Sequence, residues 1–336
     1  LKVPSAYVNI QEVRDPIGFV DSVAKVLGDD FDREQLLNRL GSDAKFAWVQ
    51  RGITPEQKHE LNWEGLIGLQ FMDEQRRVYP HASLTAHTVG FNDIDNNGLA
   101  GLELSLDGML REIDEPLRSS IDLRLQHIVS DELDKKIQEF DAKAGAGVMM
   151  DVHTGEVLAM VSLPTYDPHA PQLAHKDQRF NRAAQGVYEL GSVFKLFTVA
   201  MALDEGVIQQ EDKFDNSRPL TVGNRVIRDA YPKAAMLNAE EILERSSNIG
   251  AAQIGLKVGG TLQRDFLDRF GFLSASPLEI AEVGDPLIPD HWRTIRTATI
   301  SYGHGLSVSP VQLATGVSAL VNGGYMVKPT LLKVQE

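Results

Sequence analysis

A serine and a lysine three residues apart, set in an apolar run, are the residues of this sequence best suited to chemistry. The segment reads Gly191, Ser192, Val193, Phe194, Lys195, then Leu196, Phe197, Thr198, Val199, Ala200, Met201, Ala202 and Leu203. Residues three apart on a helix lie on one face, a turn from each other, so the Lys195 amine can reach the Ser192 hydroxyl. The apolar run predicts a helix buried all round. Burial disfavours a charged amine, and a neutral amine beside a hydroxyl is a general base beside a nucleophile. Gly191 suits a tight entry turn that puts Ser192 at the helix N-terminus. There the helix dipole opposes the lysine charge and favours developing negative charge. Ser-x-x-Lys pairs also arise as an N-cap serine with a surface lysine. The lack of a polar face around Lys195 favours the chemical reading.

A second element follows at Arg245, Ser246, Ser247, Asn248, Ile249, Gly250. By itself a Ser-Ser-Asn run before an apolar helix is a cap. Beside Ser192 and Lys195 it adds a second hydroxyl and a carboxamide, with Ser247 the intervening residue in a structural role. His304, in Gly303-His304-Gly305, raises a Ser-His alternative. No Gly-x-Ser-x-Gly elbow encloses Ser192 and no aspartate is placed to orient the ring, so His304 reads as structural. His81 and His87 lie six apart without a carboxylate in ligand spacing, and read as surface or satisfied core histidines. No metal and no cofactor are expected.

The elements that must position these residues come from 336 residues, enough for two domains, with 43% hydrophobic content. The net charge of −14 has acid and base interspersed, which argues against a nucleic-acid partner. With no cysteine there are no disulfides, thiolate metal sites or cysteine nucleophiles. No apolar run reaches the ~18 residues that span a membrane. The chain starts at Leu1 without a signal-like segment and is expected to be a piece of a longer polypeptide.

Thr54, Pro55, Glu56, Gln57 is a capping box with proline at the first helical position. A turn-rich stretch from Asp93 to Gly101 and a polar one from Asp107 to Ser120, containing Pro116, predict a domain boundary near residue 112. A helix is predicted from an N-cap at Asp122, with Leu125, Ile128, Val129, Leu133, Ile137 and Phe140 on one face. A hairpin of Val148–Val152 and Glu156–Ser162 turns through His153, Thr154 and Gly155. Ser309 to Gln312 is another capping box, and Tyr325 to Val334 reads as a strand. The fold class is α+β: a mostly antiparallel sheet packed against helices.

Longer stretches carry a resemblance. They include Arg77 to Pro80 with Ala86, His87 and Gly90; Gly98 to Glu103; Ser120 to Gln126; Met150 to Met160; Asn181 and Arg182 ahead of Gly191 to Lys195; and Gly303 to Leu306 followed by Pro310, Gln312 and Leu313. With Ser192-x-x-Lys195 and Ser246-x-Asn248, a combination known in serine β-lactamases and penicillin-binding proteins, the chain resembles a class B penicillin-binding protein. It is most similar to the division-specific (septal) transpeptidase of Gram-negative, alphaproteobacterial-like bacteria. The resemblance implies a pedestal (dimerisation) domain over residues 1–112 and a penicillin-binding transpeptidase domain over residues 113–336, with a five-stranded antiparallel sheet flanked by helices.

By that resemblance Ser192 is the acylated nucleophile, attacking the carbonyl between two terminal D-alanines of a peptidoglycan stem peptide. Lys195 takes its proton. Ser246 relays protons to the leaving amine, Asn248 anchors a substrate amide, and the Ser192 N–H is one oxyanion donor. β-Lactams would acylate the same serine. The resemblance also implies a periplasmic location at the inner membrane, and a membrane glycosyltransferase and division proteins as partners.

The family's third motif, Lys-Ser/Thr-Gly, does not occur in the sequence. We expect the parent protein to carry it beyond Glu336, so that the transpeptidase domain is C-terminally truncated and these 336 residues alone are an impaired enzyme. The alternatives are a catalytically incompetent scaffold in a wall-synthesis complex, and a β-lactamase or β-lactam sensor. The large N-terminal part and the lack of a recognisable deacylating glutamate speak against the latter.

Overall fold

The computed structural model describes residues 1–28, 31–113, 115–230 and 235–334. Chain contacts divide it into two compact units, Leu1–Pro80 with Asn92–Asn97, and His81–Phe91 with Gly98–Glu336. The boundary expected near residue 112 therefore falls inside the second unit. Leu102, which precedes the polar stretch around Pro116, packs in the second unit's core.

The first unit is a three-stranded antiparallel sheet with helices. Its elements are β1 (Lys2–Asn9), α1 (Pro16–Leu27), α2 (Arg33–Leu40), β2 (Phe46–Gln50), α3 (Pro55–Trp63) and β3 (Leu69–Gln75), in sheet order β2-β1-β3. Pro4 is tolerated in the central strand because β2 pairs only from Ala6 onward, so the missing N–H faces no ladder partner there. Ala6 and Val8 of β1 pack against Phe19, Val20 and Val23 of α1 and Leu36 of α2. The Thr54 box forms as expected: Thr54 Oγ1 accepts from the Gln57 N–H, and Gln57 Oε1 accepts from the Thr54 N–H.

The second unit opens with three short helices, α4 (Ala86–Val89), α5 (Gly101–Ser105) and α6 (Asp107–Glu112), then α7 (Leu123–Glu139). Asp122 caps α7 by accepting from the Arg124 and Leu125 N–H groups. The hairpin of β4 (Gly145–Met150) and β5 (Val157–Leu163) follows. Gly145 and Gly147 let α7 lie close to it: a Cβ at either would meet Leu133 at 2.8 Å or Val129 at 2.7 Å. Gln126 then clamps the hairpin, its amide accepting from the Met160 N–H and donating to the Met160 carbonyl. Among the described residues this hairpin gains no third named strand, where the resemblance implies a five-stranded sheet. The stretch from Tyr325 to Val334 forms single bridges at Thr330 and Leu332 rather than a strand. Pro329 interrupts the ladder there, since it has no N–H to donate.

Next come α8 (Lys176–Arg179), β6 (Tyr188–Glu189), a 3-10 turn over Gly191–Phe194, and α9 (Lys195–Asp204). Two small ladders, β7 (Phe214–Asp215) with β10 (Met236–Leu237) and β8 (Leu220–Val222) with β9 (Arg225–Ile227), precede a helical remainder. That remainder is α10 (Ala239–Glu244), α11 (Asn248–Val258), α12 (Gly260–Arg269), α13 (Thr294–Ile300), β11 (Ser307–Val308) paired with β6, and α14 (Pro310–Val321). Phe194 and Phe197 are held in an aromatic cluster with Phe266, Phe270 and Phe272. The helix carrying Lys195 is not buried all round, contrary to its apolar sequence. Val193, Leu196 and Leu203 are 40–45% exposed along one face, because composition does not say which face receives a covering layer. No helix among the described residues is long and apolar enough to cross a membrane.

His87 in α4 is a core histidine with its polar atoms satisfied. Its Nε2 lies 2.8 Å from the Gln178 carbonyl, and its ring stands edge-on to Tyr166 at 5.3 Å. Burial, aided by the Arg182 guanidinium, pushes its pKa down from 6.5 to about 4. Between these values the unfolded chain binds a proton that the folded chain does not, so stability falls as pH drops from 6.5 toward 4. The lost stability reaches about 3 kcal/mol at the lower end. Urea midpoints measured from pH 7 to pH 4 should fall less for His87→Gln than for the native protein; parallel curves would show that His87 does not carry this dependence.

Candidate active site

Ser192 sits in the 3-10 turn at the head of α9, and Lys195 is the first residue of the helix proper. The tight turn brings the two side chains onto one side, with the Lys195 Nζ 2.9 Å from the Ser192 Oγ. Lys195 is 1% exposed, whereas the Ser192 side of the turn is open to solvent. The amine also lies 2.9 Å from the Ser246 Oγ and 3.0 Å from the Ser246 carbonyl oxygen. The Ser246 hydroxyl donates to the Ser192 Oγ at 2.9 Å. The two hydroxyls and the amine thus form a closed triangle.

A neutral amine can serve all three oxygens. Its two hydrogens reach the Ser246 carbonyl and hydroxyl, its lone pair faces the Ser192 O–H, and the Ser246 hydrogen is left for the Ser192 oxygen. In that arrangement each of these hydrogens has an acceptor within the three groups.

Ser246 achieves its position through a left-handed backbone, φ +53. That conformation is uncommon for a residue with a Cβ and costs about 1–3 kcal/mol unless its surroundings hold it. It turns both the carbonyl and the hydroxyl of Ser246 toward Lys195. The holding comes from the next residues. Ser247 is fully buried and caps α11, its Oγ accepting from the Gly250 N–H. The same Oγ lies 2.7 Å from the Asn216 Oδ1 and 2.8 Å from the Asp229 Oδ2, two acceptors for its one hydrogen. The other Asp229 oxygen accepts from the Asn248 N–H at 2.5 Å and the Ile249 N–H at 3.1 Å. A carboxylate thus grips the first turn of α11, where two N–H groups would otherwise lack partners and the helix dipole favours negative charge.

Sequence reasoning had not singled out Asp229. It lies 18 residues before Ser247 in a segment with no periodic pattern, and only an aspartate in a turn ahead of a Ser-Ser-Asn cap could have hinted at it. Asn248 is the first residue of α11, half-buried, and its Nδ2 donates weakly to the Arg228 carbonyl at 3.3 Å. It follows Ser246 and Ser247 at the start of α11 and so flanks the triangle. Among the described residues His304 makes no hydrogen bond to Ser192; its ring packs on Tyr302 at 5.4 Å. Its neighbour Gly303 is the structural element: the Gly191 N–H donates to the Gly303 carbonyl at 3.1 Å, and a Cβ on Gly303 would collide with the Gly191 backbone. At φ +88 this position also disfavours any other residue. The Gly303 loop is therefore the backstop of the Ser192 turn. Among the described residues no group of three or more His, Asp or Glu side chains could hold a metal ion.

Residues 145–336 match the family model described as the penicillin binding protein transpeptidase domain. The chain belongs to this family. The matched stretch starts at β4 and contains Ser192, Lys195, Ser246 and Asn248. The chain is 41% identical over 292 residues to the probable peptidoglycan D,D-transpeptidase FtsI of Caulobacter vibrioides, covering 86% of this chain and 50% of that protein. It is 34% identical over 335 residues to the probable peptidoglycan D,D-transpeptidase PenA of Neisseria gonorrhoeae, covering 89% and 56%. It is 31% identical over 330 residues to the peptidoglycan D,D-transpeptidase FtsI of Escherichia coli K12, covering 90% and 56%. The chain spans about half the length of these curated relatives.

In a penicillin-binding protein the Asp229 clamp has a measurable signature. Asp229→Ala leaves the Asn248 and Ile249 N–H groups without an acceptor and the Ser247 hydroxyl with Asn216 Oδ1 alone. Stability should fall by about 1–3 kcal/mol. Reaction of Ser192 with a β-lactam should slow by about tenfold or more, the size of a lost charge-assisted hydrogen bond that positions Ser246. Thermal unfolding and the second-order acylation rate of the full-length protein check this. A lower melting temperature with an unchanged acylation rate would restrict Asp229 to capping.

Proposed function

We propose that this chain carries the active site of a serine-type D,D-transpeptidase that cross-links peptidoglycan stem peptides in septal wall synthesis. The observation that carries this reading is the triangle of Ser192 Oγ, Lys195 Nζ and Ser246 Oγ around a buried amine. The relatives named as peptidoglycan D,D-transpeptidases support the substrate class.

In this mechanism Ser192 passes its proton to the neutral Lys195 as it attacks the carbonyl between two D-alanines. The oxyanion forms against the Ser192 N–H; losing one such donor typically costs about 3–4 kcal/mol of transition-state stabilisation. Ser246 sits within reach of both partners and carries a proton from Lys195 to the departing D-alanine amine. The amine of a second stem peptide then attacks the acyl-enzyme, returns its proton along the same path and leaves a cross-link with Ser192 restored. Asn248, flanking the triangle, holds a substrate amide. The whole protein would act at the periplasmic face of the inner membrane beside a glycosyltransferase and division proteins. The pedestal would come from within residues 1–112, its compact part being the unit Leu1–Pro80 with Asn92–Asn97.

Incubation of the full-length protein with benzylpenicillin should add the mass of one drug molecule, stably, at Ser192, and Ser192→Ala should add none. Rapid loss of the adduct would mark a hydrolase, and no adduct a scaffold. Lys195→Arg keeps the charge and most of the volume but cannot act as a base near neutral pH. Its acylation rate should drop by about 10²- to 10⁴-fold, the usual contribution of a general base. Near-native acylation would remove Lys195 from the proton transfer.

A further inference from the structure

A cavity of about 680 Å³ opens between the β8–β9 hairpin and α13. Arg225, Arg293 and Arg296 line it together with His291. Among the described residues, none of the three guanidiniums makes an ion pair or a side-chain hydrogen bond, and the only carboxylate in the lining is Asp290. This is unusual in a chain whose formal net charge is −14, with 47 acidic against 33 basic residues. Three cations gathered without counterions repel one another, and a bound anion would relieve that repulsion. Guanidinium is also the group best shaped to hold a carboxylate through two parallel hydrogen bonds.

Two walls of the cavity belong to segments that run directly into the elements holding the triangle. Ile227 in its wall is two residues from Asp229, which grips the Asn248 and Ile249 N–H groups. Tyr302 in its opposite wall precedes Gly303, on which the Ser192 turn rests. Arg296 reaches the same loop: a Cβ on Gly305 would lie 3.3 Å from its Nη1. The rest of the wall is largely aliphatic, with Val226, Ile288, Pro289 and Ile295. That suits the hydrocarbon parts of a peptide better than a fully solvated phosphate.

We propose that this cavity is an anion subsite of the active-site cleft that takes a carboxylate borne by the peptide substrate, upstream of the D-alanyl-D-alanine end. Arg293 and Arg296 of the α13 segment would hold the carboxylate, Arg225 would close the site from the hairpin, and the aliphatic wall would pack on the peptide stem. The proposal rests on the transpeptidase reading and supplies it with a determinant of substrate charge. Ser192 chemistry itself does not require it.

The test uses the full-length protein and fluorescent penicillin labelling of Ser192. Two peptides ending in D-alanyl-D-alanine serve as competitors, one with a free side-chain carboxylate and one with that carboxylate amidated. The acidic peptide should slow labelling at about tenfold lower concentration than its amide twin, as expected of one charge-assisted contact. In Arg293→Ala/Arg296→Ala the ratio between the two peptides should fall to about one, and in Arg296→Glu it should invert. Because each protein is judged by its own ratio, a change in labelling rate common to both peptides cancels. Equal protection by the two peptides in the native protein would overturn the subsite, as would no protection by either or a ratio that survives the double substitution. Inorganic phosphate that displaces the acidic peptide at lower concentration than the peptide itself would assign the cavity to a phosphoryl group and overturn the carboxylate. Absence of penicillin labelling in the native protein would instead count against the transpeptidase reading.

Discussion

Taking a lysine amine out of water and setting it among two hydroxyls and a carbonyl constrains everything around the site. The charged form of that amine loses its hydration on burial, while the neutral form keeps a lone pair for the Ser192 proton. Ser192, by contrast, remains open to solvent. One turn of chain thus places a buried amine behind an accessible hydroxyl, and in the proposed mechanism the serine oxygen is the only member of the pair that a substrate needs to reach.

A triangle of three contacts near 2.9 Å survives only if its corners are held independently. Phe194 and Phe197 anchor the Ser192–Lys195 corner in the aromatic cluster. The Gly303 backbone supports the turn from outside. Ser246 is held in its left-handed conformation by the capping of the helix that follows, where Ser247 and Asp229 satisfy the first N–H groups of α11. Helix capping therefore serves here as a positioning device. The favourable hydrogen bonds of the cap offset the backbone cost at the one residue whose carbonyl and hydroxyl must both face the lysine.

Much of this was legible in the sequence where contacts are local. Ser192 and Lys195 are three residues apart, so their contact follows from helical geometry alone. The Thr54 box and the Asp122 cap are likewise short-range patterns, and the hairpin lay within a few residues of its predicted bounds. Contacts over long sequence separation were less legible. Ser246 could be placed beside Ser192 only through its resemblance to a known motif, and Asp229 left no local signature. Apolar composition predicted burial on every side of α9, but it carries no information on which face meets a neighbour, and Val193, Leu196 and Leu203 stand exposed. Tyr325 to Val334 had the apolar and β-branched residues of a strand, yet Pro329 breaks its hydrogen bonding.

The most direct test is the protonation state of one nitrogen. Selective isotopic labelling of lysine side chains in the full-length protein, with the Lys195 resonance assigned by its loss in Lys195→Arg, reports whether the amine is free or protonated. At neutral pH, before any β-lactam is added, the Lys195 signal should be that of a free amine, distinct from the ammonium signals of the surface lysines. An ammonium signal for Lys195 under those conditions would contradict the neutral base beside Ser192.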